Sequence, residues 1–388
     1  MKKILVLILF IVISSGLSAQ KQYDIAAFVW PSYHPDERAK IFWPDGIGEW
    51  QTVMSNKAKF TGHEQPRYPL WGYVNEADPY VMEMQINAAV RHGVNVFIYD
   101  WYWYDGMPYL EGQLNDGFLG AANNREMKFY IMWANHNVDF TWDKRLAGQK
   151  NNSLMWKGSI DRQEFEVICK RVIEKYFSQP NYYTVDGKPS FMIYHLPTFI
   201  DGVGGLEEAK KALDWFRAEV KKAGYKGLDL QLILHSGMKQ NMTGVAGDNI
   251  GTQKEVINYL KFDGSTHYQY FAFTNIDRDY LEIQDDVVKT WGELDRDLPP
   301  PVPYYPHVSI GWDANPRYHE FREGIVKNNT PENFEKALRD AKAYVDAHPK
   351  QAPLITINSW NEWTETSYLQ PCTLYGYGYL EAVKRVFK

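Results

Sequence analysis

Eight short β-like runs, each followed by a stretch of helical character, constrain this chain more than any other feature. They are Ile25–Trp30, Val94–Trp101, Lys128–Trp133, Ser190–His195, Asp229–His235, Gly264–Tyr268, Tyr305–Trp312 and Leu354–Trp360. Between them apolar residues recur at helical spacing, as at Phe334, Ala337, Leu338, Ala341, Tyr344 and Val345 within Pro331–Ala347. Leu206–Ala223, which stops at Gly224, and Tyr379–Phe387 read the same way. Eight β-then-α units in order mark an α/β chain of the (β/α)8 TIM-barrel class, for which a single domain of roughly 250 residues or more is ordinary. No linker, composition shift or internal repeat divides the sequence, and Pro299–Pro301 reads as a turn before the seventh strand.

Strand parity points to a site. In a barrel, alternate side chains face the helices and must be apolar, while the others point inward. Ile355 and Ile357 suit the outward set of the last strand, which turns Thr356, Asn358, Trp360 and, if the alternation continues, Glu362 inward. The seventh strand turns His307, Ser309 and Asp313 inward, the fifth His235 and the first Trp30. These residues sit at the C-terminal ends of their strands, where barrel active sites lie. The two longest connections, residues 31–79 after the first strand and 136–160 after the third, leave the same ends.

Export is expected from the first 19 residues. Lys2 and Lys3 precede the apolar run Ile4–Ile13, and Ser14, Ser15, Gly16 and Ser18 lead to Ala19: the pattern of a signal peptide, too short in its apolar part for a membrane span. Residues 20–388 then form one barrel domain with no membrane anchor, periplasmic or extracellular. The net charge is −6, or −8 without Lys2 and Lys3, which argues against a nucleic-acid or anionic-lipid surface. Cys169 and Cys372 are the two cysteines; one disulfide is allowed, but two inert thiols are the preferred reading.

The densest chemistry lies in Trp360-Asn361-Glu362-Trp363-Thr364-Glu365. Two carboxylates beside tryptophans can be split into proton donor and proton acceptor by burial and mutual repulsion, which acid/base work on a glycosidic bond requires. The alternative is a surface turn with two solvated glutamates. The chain holds 14 Trp, 27 Tyr and 19 Phe, and such flat faces suit sugar rings as well as a core. Trp101, Trp103, Trp133 and Trp312 are candidates for stacking, two of them expected to touch ligand. His63 and Arg67 can bind sugar hydroxyls or form a loop staple with a carboxylate. Asp313 can hold a sugar hydroxyl or close its own loop through Arg317, whereas Asp100 carries the outward parity of its strand. Trp30, Asn135, His235, His267, Trp360, Asn361 and Trp363 complete the candidate substrate contacts. No His-Glu-x-x-His or Cys-x-x-Cys spacing supports a metal, and Gly202–Gly205 follows no strand closely enough for a dinucleotide loop, so no cofactor is expected.

Ser359–Glu365, with Tyr368-Leu369-Gln370-Pro371 and Tyr375-Gly376 through Tyr379-Leu380-Glu381, resembles the asparagine-glutamate-tryptophan motif of glycoside hydrolase family 99-like proteins. These are bacterial relatives of endo-α-mannosidases, many of them named as glycosyltransferases of polysaccharide synthesis. Gly62–Arg67, Tyr99–Trp103 and Gly311–Arg317 resemble the same group, in the same order along nearly the whole chain. The resemblance implies a glycan partner and a retaining mechanism with no covalent enzyme intermediate. In it Glu362 acts as base on the 2-hydroxyl, giving a 1,2-anhydro sugar, and Glu365 protonates the leaving oxygen. The geometry required favours α-manno-configured sugars, including α-rhamnose in mirror image. Glycosyl transfer and a non-catalytic glycan-binding barrel are the alternative functions. One departure stands out: the family tends to have glycine after the second glutamate, and this chain has Thr366, so a different loop backbone is expected there.

Overall fold

A computed structural model describes residues 22–139, 142–145, 154–244 and 247–388. The expected signal peptide, residues 1–19, and part of the 136–160 connection lie outside the described residues. Eight parallel strands form the barrel: β1 (Asp24–Val29), β2 (Val96–Tyr104), β3 (Lys128–Trp133), β4 (Lys188–Ile193), β5 (Asp229–Ile233), β6 (Gly264–Thr266), β7 (His307–Ser309) and β8 (Leu354–Asn358). Their spatial order is β6-β5-β4-β3-β2-β1-β8-β7. The ring closes between β6 and β7 through one bridge, Ser265 with Tyr304, where Tyr305 N–H donates to the Ser265 carbonyl at 2.8 Å.

Among the described residues seven longer helices pack outside: α1 (Pro79–His92), α2 (Arg162–Val172), α3 (Leu206–Lys222), α4 (Gln253–Leu260), α5 (Tyr280–Asp297), α6 (Pro331–Ala347) and α7 (Gly378–Phe387). Their starts follow capping chemistry. Asp78, Asp161, Thr252, Asp279 and Thr330 each accept a hydrogen bond from a backbone N–H of the first turn, and Thr252 with Glu255 completes a reciprocal capping box. The second unit has a π-helical turn, Gln113–Phe118, in place of a long helix. Phe118 there covers the outer face of β2 and β3, its ring 5.6 Å from Tyr99 and 5.2 Å from Phe129. Among the described residues, no helix is long and apolar enough to cross a membrane. Cys169 and Cys372 are free and buried.

The inward polar set of β6, β7 and β8 forms one hydrogen-bond chain. Thr266 Oγ1 donates to the Tyr305 carbonyl at 2.9 Å and lies 2.8 Å from Thr356 Oγ1, which is 2.9 Å from His307 Nδ1. His307 Nε2 meets Ser309 Oγ at 3.0 Å, and Ser309 Oγ accepts from Tyr270 N–H at 3.1 Å. Burial pushes the His307 imidazole down to about 3, so it is neutral and serves as donor at one nitrogen and acceptor at the other. Thr356 sits at the centre of this chain. We expect Thr356→Val, nearly the same shape without the hydroxyl, to destabilise the fold by about 2 kcal/mol, since it strands a buried imidazole N–H. Thr356→Ser should cost about 1 kcal/mol for its lost methyl. Urea unfolding of the two variants measures the difference, and equal losses would remove the hydroxyl from the account.

Candidate active site

The C-terminal ends of the strands enclose a cavity of about 230 Å³. Trp30 borders it just past β1, Asp100 and Tyr102 from β2, and Met132, Ala134 and His136 from the end of β3. Trp142, Tyr194 and Tyr268 add aromatic walls, and Arg317, Glu362 and Glu365 form the remaining side. After Asn358 the chain leaves the barrel ladder. Asn361–Glu362 pairs antiparallel with Ser367–Tyr368, and the turn Trp363–Glu365 between them brings Glu362 and Glu365 to one side. The Asn361 side chain pins this hairpin to β1. Its Oδ1 accepts from Trp30 N–H and its Nδ2 donates to the Trp30 carbonyl, both at 2.8 Å, and Nδ2 also donates to Glu76 Oε2.

Arg317 binds both glutamates. Its Nη1 donates to Glu365 Oε1 at 2.6 Å, its Nη2 to Glu362 Oε1 at 2.7 Å, and its Nε to Thr364 Oγ1 at 2.9 Å. Glu49, fully buried on the long first loop, stands behind: its Oε1 accepts from Thr364 Oγ1 at 3.0 Å and lies 3.7 Å from Arg317 Nε. Its Oε2 accepts from Ser32 Oγ at 3.1 Å and from the Trp30 indole. The loop can come this close because Gly48 precedes Glu49 with φ +64°, where an added Cβ would fall 1.9 Å from the Ser32 carbonyl oxygen.

Burial dominates the electrostatics. It raises Glu362 well above the usual carboxylate range, with a further push from Glu365, and raises Glu365 as well; the Arg317 charge opposes both shifts. Two acids that share one guanidinium and so little water favour holding a proton between them, the arrangement that splits a carboxyl pair into donor and acceptor. On the β2 side the Tyr268 hydroxyl donates to Asp100 Oδ2 at 2.7 Å and lies 3.5 Å from Glu362 Oε2. Burial of His136 lowers its pKa and keeps it neutral at pH 7.

Several expected contacts lie elsewhere. Asp100 is inward, with Tyr102, so the expected parity of the second strand is reversed. Both faces of Phe97–Trp103 carry apolar or aromatic residues, which left the lone charge as the better guide. Trp101 and Trp103 accordingly point to the helix layer, where their indoles donate to Glu111 at 2.8 Å and Glu164 at 2.7 Å. Trp133 packs outward on Phe165 and Phe199. Trp360 donates to Gln85 of α1 at 2.8 Å, because alternation stops counting once the β8 ladder ends at Asn358. Trp363 stacks on Tyr368 at 3.8 Å and is buried. The Asn135 amide satisfies the backbone of His195 in both directions. His235 meets the Tyr194 carbonyl at 2.8 Å, and His267 meets the Tyr304 hydroxyl at 2.9 Å, neither lining the cavity.

His63, Arg67, Trp312 and Asp313 line a separate groove of about 510 Å³. There His63 Nε2 is 2.7 Å from Asp313 Oδ2, and Asp313 also accepts from Gln65 and Asn315, so its partners are these rather than Arg317. Arg67 staples its own loop through Glu64 at 2.8 Å. Trp30, Glu362 and Glu365 are the expected residues that reach the cavity itself. Arg317, Tyr102, His136, Trp142, Tyr194 and Tyr268 were not expected there, nor was Glu49 behind Arg317. Arg317 and Tyr102 lay within motifs already singled out; Tyr194 and Tyr268 carried no signal that set them apart from the many other tyrosines.

Thr366 adopts φ +58°, ψ 32°, the left-handed conformation that glycine favours. Its hydroxyl accepts from Gln65 Nε2 at 2.7 Å and donates to the Asp313 carbonyl at 3.1 Å. The left-handed backbone costs a β-branched residue about 1–2 kcal/mol, and the two hydrogen bonds offset it. Thr366→Gly should therefore leave stability within about 1 kcal/mol, whereas Thr366→Val, which keeps the strain and loses the bonds, should lose about 2 kcal/mol or more. Chemical unfolding distinguishes them; a Val variant as stable as the Gly variant contradicts this balance.

The sequence model of the family described as "Glycosyltransferase WbsX" matches residues 25–383. The curated WxcX proteins of two Xanthomonas campestris pv. campestris strains, described as uncharacterized, are 25% identical over 371 residues, covering 93% of this chain. The chain spans about half the length of these relatives, 49%. The endo-α-mannosidase of glycoside hydrolase family 99 from Bacteroides thetaiotaomicron, in complex with Bis-Tris propane, superposes with a TM-score of 0.60 at 15% identity, covering 94% of this chain and 96% of that one. A glycoside hydrolase-like protein superposes at 0.57 and 15% identity over 95% of each chain. The fold is therefore the (β/α)8 barrel of the family 99 enzymes, and the chain belongs to the WbsX family.

Proposed function

We propose that this chain is a retaining glycoside hydrolase acting on α-linked, manno-configured glycans, mannosyl or rhamnosyl. The observation that carries this reading is the pair Glu362 and Glu365, buried on one hairpin and bridged by Arg317 at an aromatic-walled cavity. In the first step Glu362 takes the proton of the 2-hydroxyl, O2 bonds to the anomeric carbon, and the glycosidic bond breaks as Glu365 protonates the leaving oxygen. In the second, Glu365 takes a proton from water, the water oxygen bonds to the anomeric carbon as the C1–O2 bond breaks, and O2 recovers its proton from Glu362. Two inversions give net retention, outside the usual nucleophile-and-acid scheme. Burial raises both carboxyls, so the pair favours holding one proton between them. A sugar hydroxyl donating to Glu362 favours its anion and returns the shared proton to Glu365, the residue that must deliver it.

Transfer to a sugar acceptor is the second reading, favoured by the WbsX description. It uses the same groups with an acceptor hydroxyl in place of water. A nucleotide-sugar donor suits the cavity poorly, because Asp100, Glu362 and Glu365 line it and Arg317 is already engaged by two of them. Addition of a mannosyl acceptor to the reaction tests this directly: longer products at the expense of free sugar favour transfer.

Glu362→Gln and Glu365→Gln should each lower kcat on α-mannosyl oligosaccharides by about 10²–10⁴ with the fold intact. The Glu365 variant should recover much of its loss on aryl glycosides whose leaving group needs no proton. Unchanged turnover in either variant rejects the pair. Arg317→Met removes the charge that opposes the rise of both carboxyl pKa values. Since the base must be anionic, the low-pH limb of kcat/KM should move to higher pH by about one unit or more. A limb that stays in place shows that Arg317 does not tune the base.

A further inference from the structure

Asp100 is the one carboxyl at the cavity that the proposed chemistry leaves unused. Its Oδ2 is taken by the Tyr268 hydroxyl at 2.7 Å, while its Oδ1 is buried and has no hydrogen-bond partner. A buried carboxyl oxygen left unpaired costs about 1–3 kcal/mol, so its position at a cavity wall calls for a ligand group. Hydrogen bonds set an order: Glu365 and Glu362 share Arg317, and Glu362 and Asp100 face the same phenol oxygen of Tyr268. Glu362 is thus the middle member of three linked carboxyls. The proposed mechanism places Glu365 at the leaving oxygen on C1 and Glu362 at the hydroxyl on C2, and the next oxygen around the ring in that sense is on C3.

We propose that Asp100 binds the 3-hydroxyl of the sugar whose 2-hydroxyl Glu362 engages. The assignment rests on the hydrolase reading above. A hydroxyl both donates and accepts, so it can pair with Asp100 ionised or protonated; burial raises the Asp100 pKa well above the usual range, and an anionic substituent would meet three carboxyls. Tyr268 holds Asp100 in place and is a positioning residue toward it.

Binding tests this without turnover. In the Glu365→Gln background, an α-mannosyl disaccharide and its forms deoxygenated at C3 or C4 of the glycone are titrated by tryptophan fluorescence. Asp100→Ala should raise the Kd of the parent about tenfold or more, and that of the 4-deoxy form equally, while changing the 3-deoxy form less than about twofold. Tyr268→Phe, which disturbs the position of the carboxyl without removing it, should weaken the parent and the 4-deoxy form and change the 3-deoxy form less than about twofold. Asp100→Asn, which keeps an acceptor for Tyr268 and a polar group for the sugar, should retain the preference for the parent and covers the case of an unfolded Ala variant. An equal rise on all three sugars with Asp100→Ala, no rise, or no binding of the parent overturns the assignment. Wild-type turnover in Glu362→Gln would instead overturn the hydrolase reading and leave this comparison of affinities standing.

Discussion

A single guanidinium, that of Arg317, makes it possible to bury Glu362 and Glu365 side by side. Removing a charge from water costs several kcal/mol per ion, and two like charges on one hairpin would add to it. Arg317 offsets this with two hydrogen bonds shorter than 2.8 Å and is itself held through Thr364 and by Glu49 behind it. Glu49 belongs to the long connection after β1, so that connection is part of the site rather than a lid over it. Its approach depends on Gly48, and its carboxylate in turn binds Ser32 and the Trp30 indole. The ion cluster, the first loop and the cavity wall at Trp30 are one construction.

A second buried acid joins the same parts from below. Glu76 accepts from Gln85, Gln370, Gln113 and Asn361, which come respectively from α1, the chain after the hairpin, the π-helical turn and the hairpin itself. Burial pushes its carboxyl up to about 7 and the four amide donors oppose that rise or satisfy its oxygens. Through Asn361, the residue before Glu362, this hub and β1 both fix the height of the hairpin. The positions of Glu362 and Glu365 follow from hydrogen-bonded supports more than from the strands alone.

The barrel could be read from the sequence because its signal is redundant. Outward positions such as Ile355 and Ile357 had to be apolar, and helix starts at Asp78, Asp161, Thr252, Asp279 and Thr330 carried capping residues. Parity worked where one face was polar, as at His307, Ser309, Thr356 and Asn358. It failed in β2, where Phe97, Tyr99, Trp101 and Trp103 on one side and Ile98 and Tyr102 on the other offered no contrast, and the outward tryptophans are explained by Glu111 and Glu164, which the sequence does not place nearby. It failed again at Trp360, beyond the end of the ladder. Arg317 and Glu49 lie 45 and 313 residues from Glu362, and their convergence depends on loop paths that no periodicity encodes.

The WbsX family description speaks of transfer, and the shared barrel of the family 99 enzymes fits either transfer or hydrolysis. The proposed role of Glu362 and Glu365, proton transfer at one anomeric centre, is what separates these readings from mere glycan binding. The most direct measurement is the proton NMR time course of α-mannosyl oligosaccharide cleavage by the wild-type chain, following the anomeric signal of the first product. We expect the α anomer to appear first and to equilibrate later. An inverted first product, or no cleavage by the folded protein, would contradict the mechanism assigned to Glu362 and Glu365.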